Sequence, residues 1–553
     1  MLRTLVKNQI LDQILRPQNY DAKLGHRKFS VLILDKAAIE IVNSCLNMNE
    51  VFEEGVTLVE DLSKAREPMP SMDAIYIMAA IPESIDSLIA DFTKKSKFSP
   101  ENSYKTGHVY FLEPCNDDLF RKLAKSSAVR HLKTLKEIDL GFRPVESQIF
   151  TVNPGPIPMD MLKIADGIAS LCSAMNINPV LRFHSDYAQS AEICYRIDQK
   201  LKETKTEGSD ADLIVIDRSF DLISPLLHES TLQAMASDLT DFQNGIYRFK
   251  GNQAEIKEIP LDETDPIWLD LRHKHLAEVL TSVQKLTKEL KQMHEASTQN
   301  KSAKDVQSTI RQLPVYLKKK AKAEAYLSLA EECREKYFKS LEKIILLEQD
   351  MAVEHTPEGC RITDSQAVGR LSAFIQPTIP TETRLRLILI FMLSIGRDKD
   401  EQFFQRLLHH TDIPADEYQL VLKMLRWRAK TQSSPFQRRR APPVDERFPS
   451  SRWDPKIKNL IQEVQQKKLD EREFKVVGLK TEQRTAMSAR YGGGLTGRPR
   501  EKRKIIIFVV GGITYSEIKT AYEMSEKTNT TVILGSDAIL TPARFLETLR
   551  HRQ

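Results

Sequence analysis

The stretch Ala211–Leu239, ADLIVIDRSFDLISPLLHESTLQAMASDL, constrains the fold more than any other part of the chain. Leu213 to Ile216 is an unbroken apolar run, mostly β-branched, as expected of a strand buried on both faces of a parallel sheet. Asp217 and Arg218 stand at its end, Pro225 sits in a loop, and Ser230 to Leu239 reads as a helix. An acidic residue at the carboxyl edge of such a strand is where many α/β enzymes place their chemistry. The rest of the chain must therefore be asked for a catalytic or phosphate-binding partner.

None is legible. Gly492, Gly494 and Gly497 match a dinucleotide-loop spacing, but no strand precedes them and no helix follows. Gly497 is followed by Arg498 and Pro499, not by the Lys-Ser/Thr of a phosphate loop, so that stretch reads as a loop. Gly511 and Gly512 lie between a strand and a helix, where phosphate contact and close packing are both sterically open. His273 and His275 point to different helix faces, and His409 and His410 are adjacent; both pairs are poor metal geometry. No catalytic residue, cofactor site or metal site is assigned, and the chain is read as a non-enzyme.

Residues 28–140 alternate short apolar strands (Ser30–Leu34, Val56–Val59, Ala74–Ile77, His108–Leu112) with helical patterns, the rhythm of a doubly wound parallel sheet. A second α/β unit begins near Gly141 and lacks strands. Lys504–Val510 and Thr531–Leu534, with a helix capped by Ser516 between them, are expected to supply these from the far end. The domains read as 1–140, 141–249 continued by 461–553, and an inserted helical domain over 250–460. In that insertion Leu276, Val279, Val283, Leu286, Leu290 and Met293 form one seam, and Tyr326, Ala330, Cys333, Tyr337, Leu341 and Ile344 another. These predict a helical hairpin over about 267–351, with Pro314 near its tip, ending or kinking a helix.

A chain of 553 residues exceeds one core, and its longest apolar runs fall short of a bilayer span. The N-terminus, with Leu2, Leu5, Val6, Ile10 and Ile14 in helical period, reads as a docked amphipathic helix, a mitochondrial presequence being the alternative. Six cysteines without a C-x-x-C pair imply reduced, mostly buried thiols and a cytoplasmic protein. The net charge is +5, of which RPREKRK at Arg498–Lys504 carries +4, so the body is nearly neutral and nucleic-acid binding is not expected. That run and Arg438–Arg440 in the basic, proline-rich 433–452 read as solvated loops, contact with anionic lipid or a nuclear localisation signal being the alternatives.

At this point the chain resembles a known family. DRSFDLISPLLHESTLQAMASDL with LDETDPIWLDLRHKHLAEV is similar to the SM (Sec-one/Munc-eighteen) proteins, cytosolic syntaxin-binding regulators of SNARE-mediated fusion. GVTLVEDLSKAREPMPSMDAIY, HVYFLEPC, LSLAEEC, IIIFVVGGITYSEIKTAYE and ILTPARFLETLR extend the likeness along the chain, in order, and resemble the exocytic branch. The resemblance implies an arch of two parallel α/β domains and an inserted helical domain, acting as a monomer recruited peripherally through SNAREs to the plasma membrane. SM proteins of Golgi or endosomal steps are the alternative, and an α/β nucleotide-binding enzyme is a more distant one.

Three sites follow from the resemblance. A pocket for the N-terminal peptide of syntaxin would comprise Cys115, Leu119, Phe120, Leu132, Leu135 and Glu137, an apolar seat with one carboxylate. A surface for closed syntaxin would run from Asp35 to Glu60 and include Ile39, Asn43 and Asn47. Glu40 and Asn47 stand where close relatives carry basic residues, which implies a weaker hold there. The vesicle SNARE would meet the hairpin at Leu313, Pro314 and Leu327. Pro314→Ala is expected to lengthen the second hairpin helix and strengthen vesicle-SNARE capture in a pull-down.

Overall fold

The computed structural model describes all residues except 22–25, 94–101, 154–159, 205–208, 244, 251–254, 300–302, 410–412, 432–447, 479–501 and 552–553. Gly492, Gly494, Gly497, Arg438–Arg440 and most of the RPREKRK run lie outside the described residues. The chain forms two compact units. One comprises Met1–Asp217, Glu463–Gly512 and Ala521–Ala538, the other Arg218–Gln462, Ile513–Thr520 and Ile539–Gln553.

The first unit holds two large sheets and a two-stranded one, in which Tyr20–Asp21 pairs antiparallel with His26–Arg27. In one large sheet, β1 (Ser30–Leu34), β2 (Val56–Asp61), β3 (Met69–Met78), β4 (Tyr104–Phe111) and β5 (Leu132–Glu137) pair in parallel, in the order β2-β1-β3-β4-β5. Every residue of β1 is buried, as its unbroken apolar run requires. Helix α1 (Leu2–Ile10) buries Leu2, Val6 and Ile10 and runs into a π-helical turn that buries Ile14, so the amphipathic N-terminus is docked. Helices α2 (Lys36–Cys45), α3 (Met48–Glu53), α4 (Pro82–Thr93) and α5 (Asp117–Lys125) complete this layer.

The second sheet has β6 (Arg143–Pro144), β7 (Ile149–Thr151), β8 (Ile177–His184), β9 (Ser209–Asp217), β10 (Phe474–Val477), β11 (Arg503–Val510) and β12 (Thr530–Ser536), ordered β10-β8-β9-β11-β12-β7-β6. Among the described residues only the edge strands β10 and β6 pair antiparallel in this sheet, and helices α6 (Met161–Ala174) and α7 (Ala188–Thr204) flank β8 in sequence. β9 is the strand of the opening stretch, and its neighbour β11 comes from almost three hundred residues further on. Gly535 of β12 lies against Phe150, whose ring would sit 2.1 Å from an added Cβ, so only glycine fits there.

Ser516 is not the cap of the helix Tyr515–Lys527. Thr514 accepts the amide of Glu517 (3.3 Å) while its own amide donates to the Glu517 carboxylate (2.9 Å), a reciprocal box written in the sequence as T-Y-S-E.

The second unit is mainly helical, with a three-stranded antiparallel sheet (Phe242–Gln243, Ile246–Lys250, Ile256–Pro260) that the sequence pattern did not announce. Helix α8 (Leu276–Gln299) packs Val279 and Val283 against Tyr326, Leu329, Ala330 and Cys333 of α9 (Ala303–Lys336). Of the two expectations for Pro314, an end or a kink, the end does not occur; the proline lies inside α9. It removes one backbone bond, and the intact turns on either side carry the helix through. A π-helical turn, Tyr337–Leu341, then leads into α10 (Glu342–Val353).

Just past β9, the DRSFDL segment becomes the centre of this unit. Buried Arg218 donates to both carboxylate oxygens of buried Glu517 (2.8 and 2.7 Å) and to the carbonyl of Asp221 (3.0 and 2.7 Å). The Asp221 carboxylate accepts from the amides of Ile223, Ser224 and Lys456 and from the Ser224 hydroxyl. Burial alone would raise the Asp221 pKa; Lys456 and Arg218 outweigh it and hold the group below its ordinary value. His228 and Arg386 likewise hold the pKa of buried Glu348 below its ordinary value against its desolvation.

Two outcomes check this core. Glu517→Gln, which leaves the Arg218 guanidinium without its counter-charge, should cost about 3–5 kcal/mol in urea unfolding. The second concerns His273 and His275, whose pKa values are pushed down to about 3 and about 4, by burial first and then by Lys519 and, at His273, Arg272. The unfolded chain therefore takes up protons that the fold refuses. Stability is full above the ordinary histidine range and falls below about pH 6.5, by up to about 1.4 kcal/mol per pH unit for each group. His275→Gln should flatten that slope in urea titrations.

Candidate functional site

The N-peptide residues expected from the resemblance are brought together by α5 and β5. Asn116 accepts the amide of Leu119 (2.9 Å) and starts α5, with Asp117 and Asp118 in its first turn. Leu123 is buried and Leu119 packs on the core of Val109, Phe111, Ile85 and Leu88. Phe120, one step round the helix, is left 48% exposed.

β5 is an edge strand with a register shift. Leu132 lies opposite Gly107, Thr134 opposite His108, Leu135 opposite Val109 and Glu137 opposite Phe111. Partners in a parallel pair point to the same face, so the shift puts Leu132 and Leu135 on one face although they are three residues apart. That face also carries α4 and α5. Gly107 makes room for it, because a Cβ there would sit 2.7 Å from the Leu132 side chain. Leu135 remains 39% exposed. The Glu137 carboxylate accepts the amide of Cys115 (2.9 Å), which ties the loop before α5 to the end of β5. Burial, with the Glu137 charge added, raises the Cys115 thiol and keeps it protonated. Phe120 and Leu135 are thus left as exposed apolar side chains on the two elements that the Cys115–Glu137 bond ties together.

The residues between Asp35 and Glu60 divide into two kinds. Asp35 is buried and fully engaged, accepting from the amides of Ala38 (2.9 Å) and Ala79 (2.8 Å) and from the Ser84 hydroxyl (2.8 Å). Its contribution is to cap α2. Glu60 accepts from the Tyr104 hydroxyl (2.8 Å) and lies 4.0 Å from Arg66, whose guanidinium is itself paired with Asp91. Ile39 is half-buried on the core, Asn43 is exposed one turn further on, and exposed Asn47 caps α3 with Glu50 in a reciprocal box. Glu40 is ion-paired with Arg143 at 3.2 Å. Asn43, Glu40 and Asn47 therefore offer side chains outward, while Asp35 and Glu60 build the scaffold.

On the hairpin, Pro314 is exposed on α9 and Leu327 is half-buried against the α8–α9 core. Leu313 precedes Pro314 on the helix; its side chain lies outside the described residues. Because α9 already extends through Pro314, the expected lengthening by Pro314→Ala has no room to operate.

Gly511 and Gly512, both at positive φ (99° and 102°), donate their amides to the Asp537 carboxylate at 2.6 and 3.2 Å. The amide pair that a phosphate oxygen would need is thus occupied by a side chain of the following loop. The largest cluster missed from sequence is the ionic one around Asp221, Arg218 and Glu348; the T-x-x-E box and the paired acids and bases of DRSFDL were its available signals.

Comparisons with known proteins agree with one another. The Sec1 family model matches residues 30–548. The protein transport protein sec1 of Dictyostelium discoideum is 29% identical, with 99% of this chain and 98% of that one covered. The vacuolar protein sorting-associated protein 45 of the same organism is 24% identical, over 98% and 97%. The Unc18–syntaxin 1 complex from Monosiga brevicollis superposes with a TM-score of 0.82 at 25% identity, covering 99% of both chains.

The pocket geometry makes a prediction of its own. Phe120→Ala, at an exposed position, should change unfolding stability by less than about 0.5 kcal/mol, whereas Leu123→Ala should cost about 2–5 kcal/mol. Equal losses in denaturant titrations would mean that Phe120 is core rather than surface.

Proposed function

The chain belongs to the Sec1 family, and from that membership we propose that it is a non-enzymatic regulator of SNARE-mediated fusion. It binds a syntaxin-type SNARE, engages the vesicle SNARE or the assembled bundle, and assists SNARE assembly during docking and exocytosis. No described helix is long and apolar enough to cross a membrane, which is consistent with a cytoplasmic protein recruited peripherally to the plasma membrane. Higher identity to a sec1 than to a Vps45 of one organism favours the exocytic step over an endosomal one. The division into 1–140, 141–249 with 461–553, and 250–460 belongs to this reading.

The observation that carries the proposal furthest is the surface of Phe120, Leu135 and Glu137. An extended peptide with one bulky apolar anchor and a neighbouring basic residue suits it, the anchor on Phe120 and Leu135 and the cation near Glu137. The second contact, to closed syntaxin, is assigned to Asn43, Asn47 and Ile39 with Asp35 and Glu60 beneath them. The third, to the vesicle SNARE, is assigned to α9 around Leu313, Pro314 and Leu327.

Burying an anchor the size of phenylalanine contributes about 1.5–3 kcal/mol, so Phe120→Ala should weaken binding roughly ten- to hundredfold. The measurement is a Kd panel of syntaxin cytosolic domains from plasma-membrane, Golgi and endosomal classes, each with and without its N-terminal peptide. Preference for a plasma-membrane syntaxin, lost with the peptide or with Phe120, is expected. Affinity indifferent to both would remove the pocket from the account, and binding to no syntaxin would remove the function.

A further inference from the structure

We propose that the surface made by the end of α5, the turn Ser127–His131 and the edge strand β5 docks onto an anionic lipid surface, beside the pocket and independently of whether a peptide fills it. From Leu119 to Lys136 the sequence LFRKLAKSSAVRHLKTLK contains six Lys or Arg and no Asp or Glu, in a chain whose whole net charge is +5. Two of the six are neutralised, Arg121 by Asp117 and Asp118 and Lys122 by Asp86 at 2.6 Å. Lys125, Arg130, Lys133 and Lys136 are exposed, and among the described residues none of them is ion-paired with a carboxylate.

The turn between α5 and β5 is held by buried Ala128, and the next residue, Val129, projects 42% exposed beside Arg130. An aliphatic side chain raised among unpaired cations is unfavourable in water and favourable at a headgroup boundary, where apolar contact and surface charge act together. The cations sit on three different elements, a helix end, a turn and an edge strand. Recognition of a polypeptide carboxylate rewards one fixed geometry, whereas a plane of anionic headgroups rewards several cations spread over one surface. Lys136 stands opposite Tyr110 and so on the other face of the sheet from Leu135, which leaves Lys125, Arg130 and Lys133 to meet the lipid plane. Weak affinity by itself is the expected property, since three cations and one aliphatic contact make a reversible attachment that adds to partner binding.

The test is flotation of the full-length protein with phosphatidylcholine vesicles, with and without phosphatidylserine, at low and high salt. Flotation should require phosphatidylserine and be lost at high salt. Lys125→Gln/Arg130→Gln/Lys133→Gln should weaken it about a hundredfold, at roughly fivefold per cation, and Val129→Ser should weaken it further. These exposed substitutions should leave the melting temperature of the protein unchanged. Parent protein that ignores phosphatidylserine, or a triple variant that floats like the parent, would overturn the proposal. So would a triple variant that keeps vesicle binding but loses an acidic peptide in fluorescence anisotropy, because the cations would then serve a polypeptide. Phe120→Ala, which tests the peptide pocket, should float normally, so failure of either idea is visible without the other.

Discussion

Arg218 and Glu517 are both almost completely buried, and their bidentate pairing joins two segments about three hundred residues apart in sequence. Desolvating such a pair costs several kcal/mol per ion, which only near-ideal geometry and further hydrogen bonds can offset. Both conditions are met. The Glu517 oxygen that takes Arg218 also accepts the amide and hydroxyl of Thr514, and the guanidinium closes onto the Asp221 carbonyl. Asp221 in turn holds Lys456 and, through Ser224, the indole of Trp453. Removing one charge strands the rest, so the second unit depends on this cluster in an all-or-none way that no single apolar contact imposes. It also gives Asp221, four residues past the end of β9, a structural role.

The first unit uses its polar groups differently. Asp35, Glu60 and the Gly511–Gly512 amides are all engaged internally, as caps and braces. On one side the first sheet ends at β5, which has no further strand beside it, with α5 leading into it through the turn Ser127–His131. The register shift opposite Gly107 turns Leu135 towards α5, and the helix period leaves Phe120 outside. An open edge strand beside a helix is a natural place for a partner to complete the packing.

Much of this was legible in residue pattern. The run Leu213–Ile216 proved to be the middle of β9, and the remote run Lys504–Val510 pairs with it, its apolar residues suiting the buried centre of the sheet. The hairpin seam at Val279 and Val283 was readable from its helical period. Pro314 was not, because the cost of one missing bond in a long helix is decided by its neighbours. Asp35 drew attention as an outward contact although an acid directly between a strand and a helix is first of all a cap. The charge of the α5–β5 face escaped notice because its cations are spread over a helix, a turn and a strand, which adjoin only in the fold. The short sheet at Ile246–Pro260 was hidden by its exposed, mixed composition.

The central claim is that a SNARE-derived segment seats on the α5–β5 edge. Hydrogen–deuterium exchange of the full chain, with and without a syntaxin N-terminal peptide at saturating concentration, tests it most directly. The account predicts slowed exchange confined to Cys115–Glu137, strongest along the open edge of β5 and around Phe120. Binding with no protection in that segment, or with protection placed on α9 or α2 instead, would contradict it.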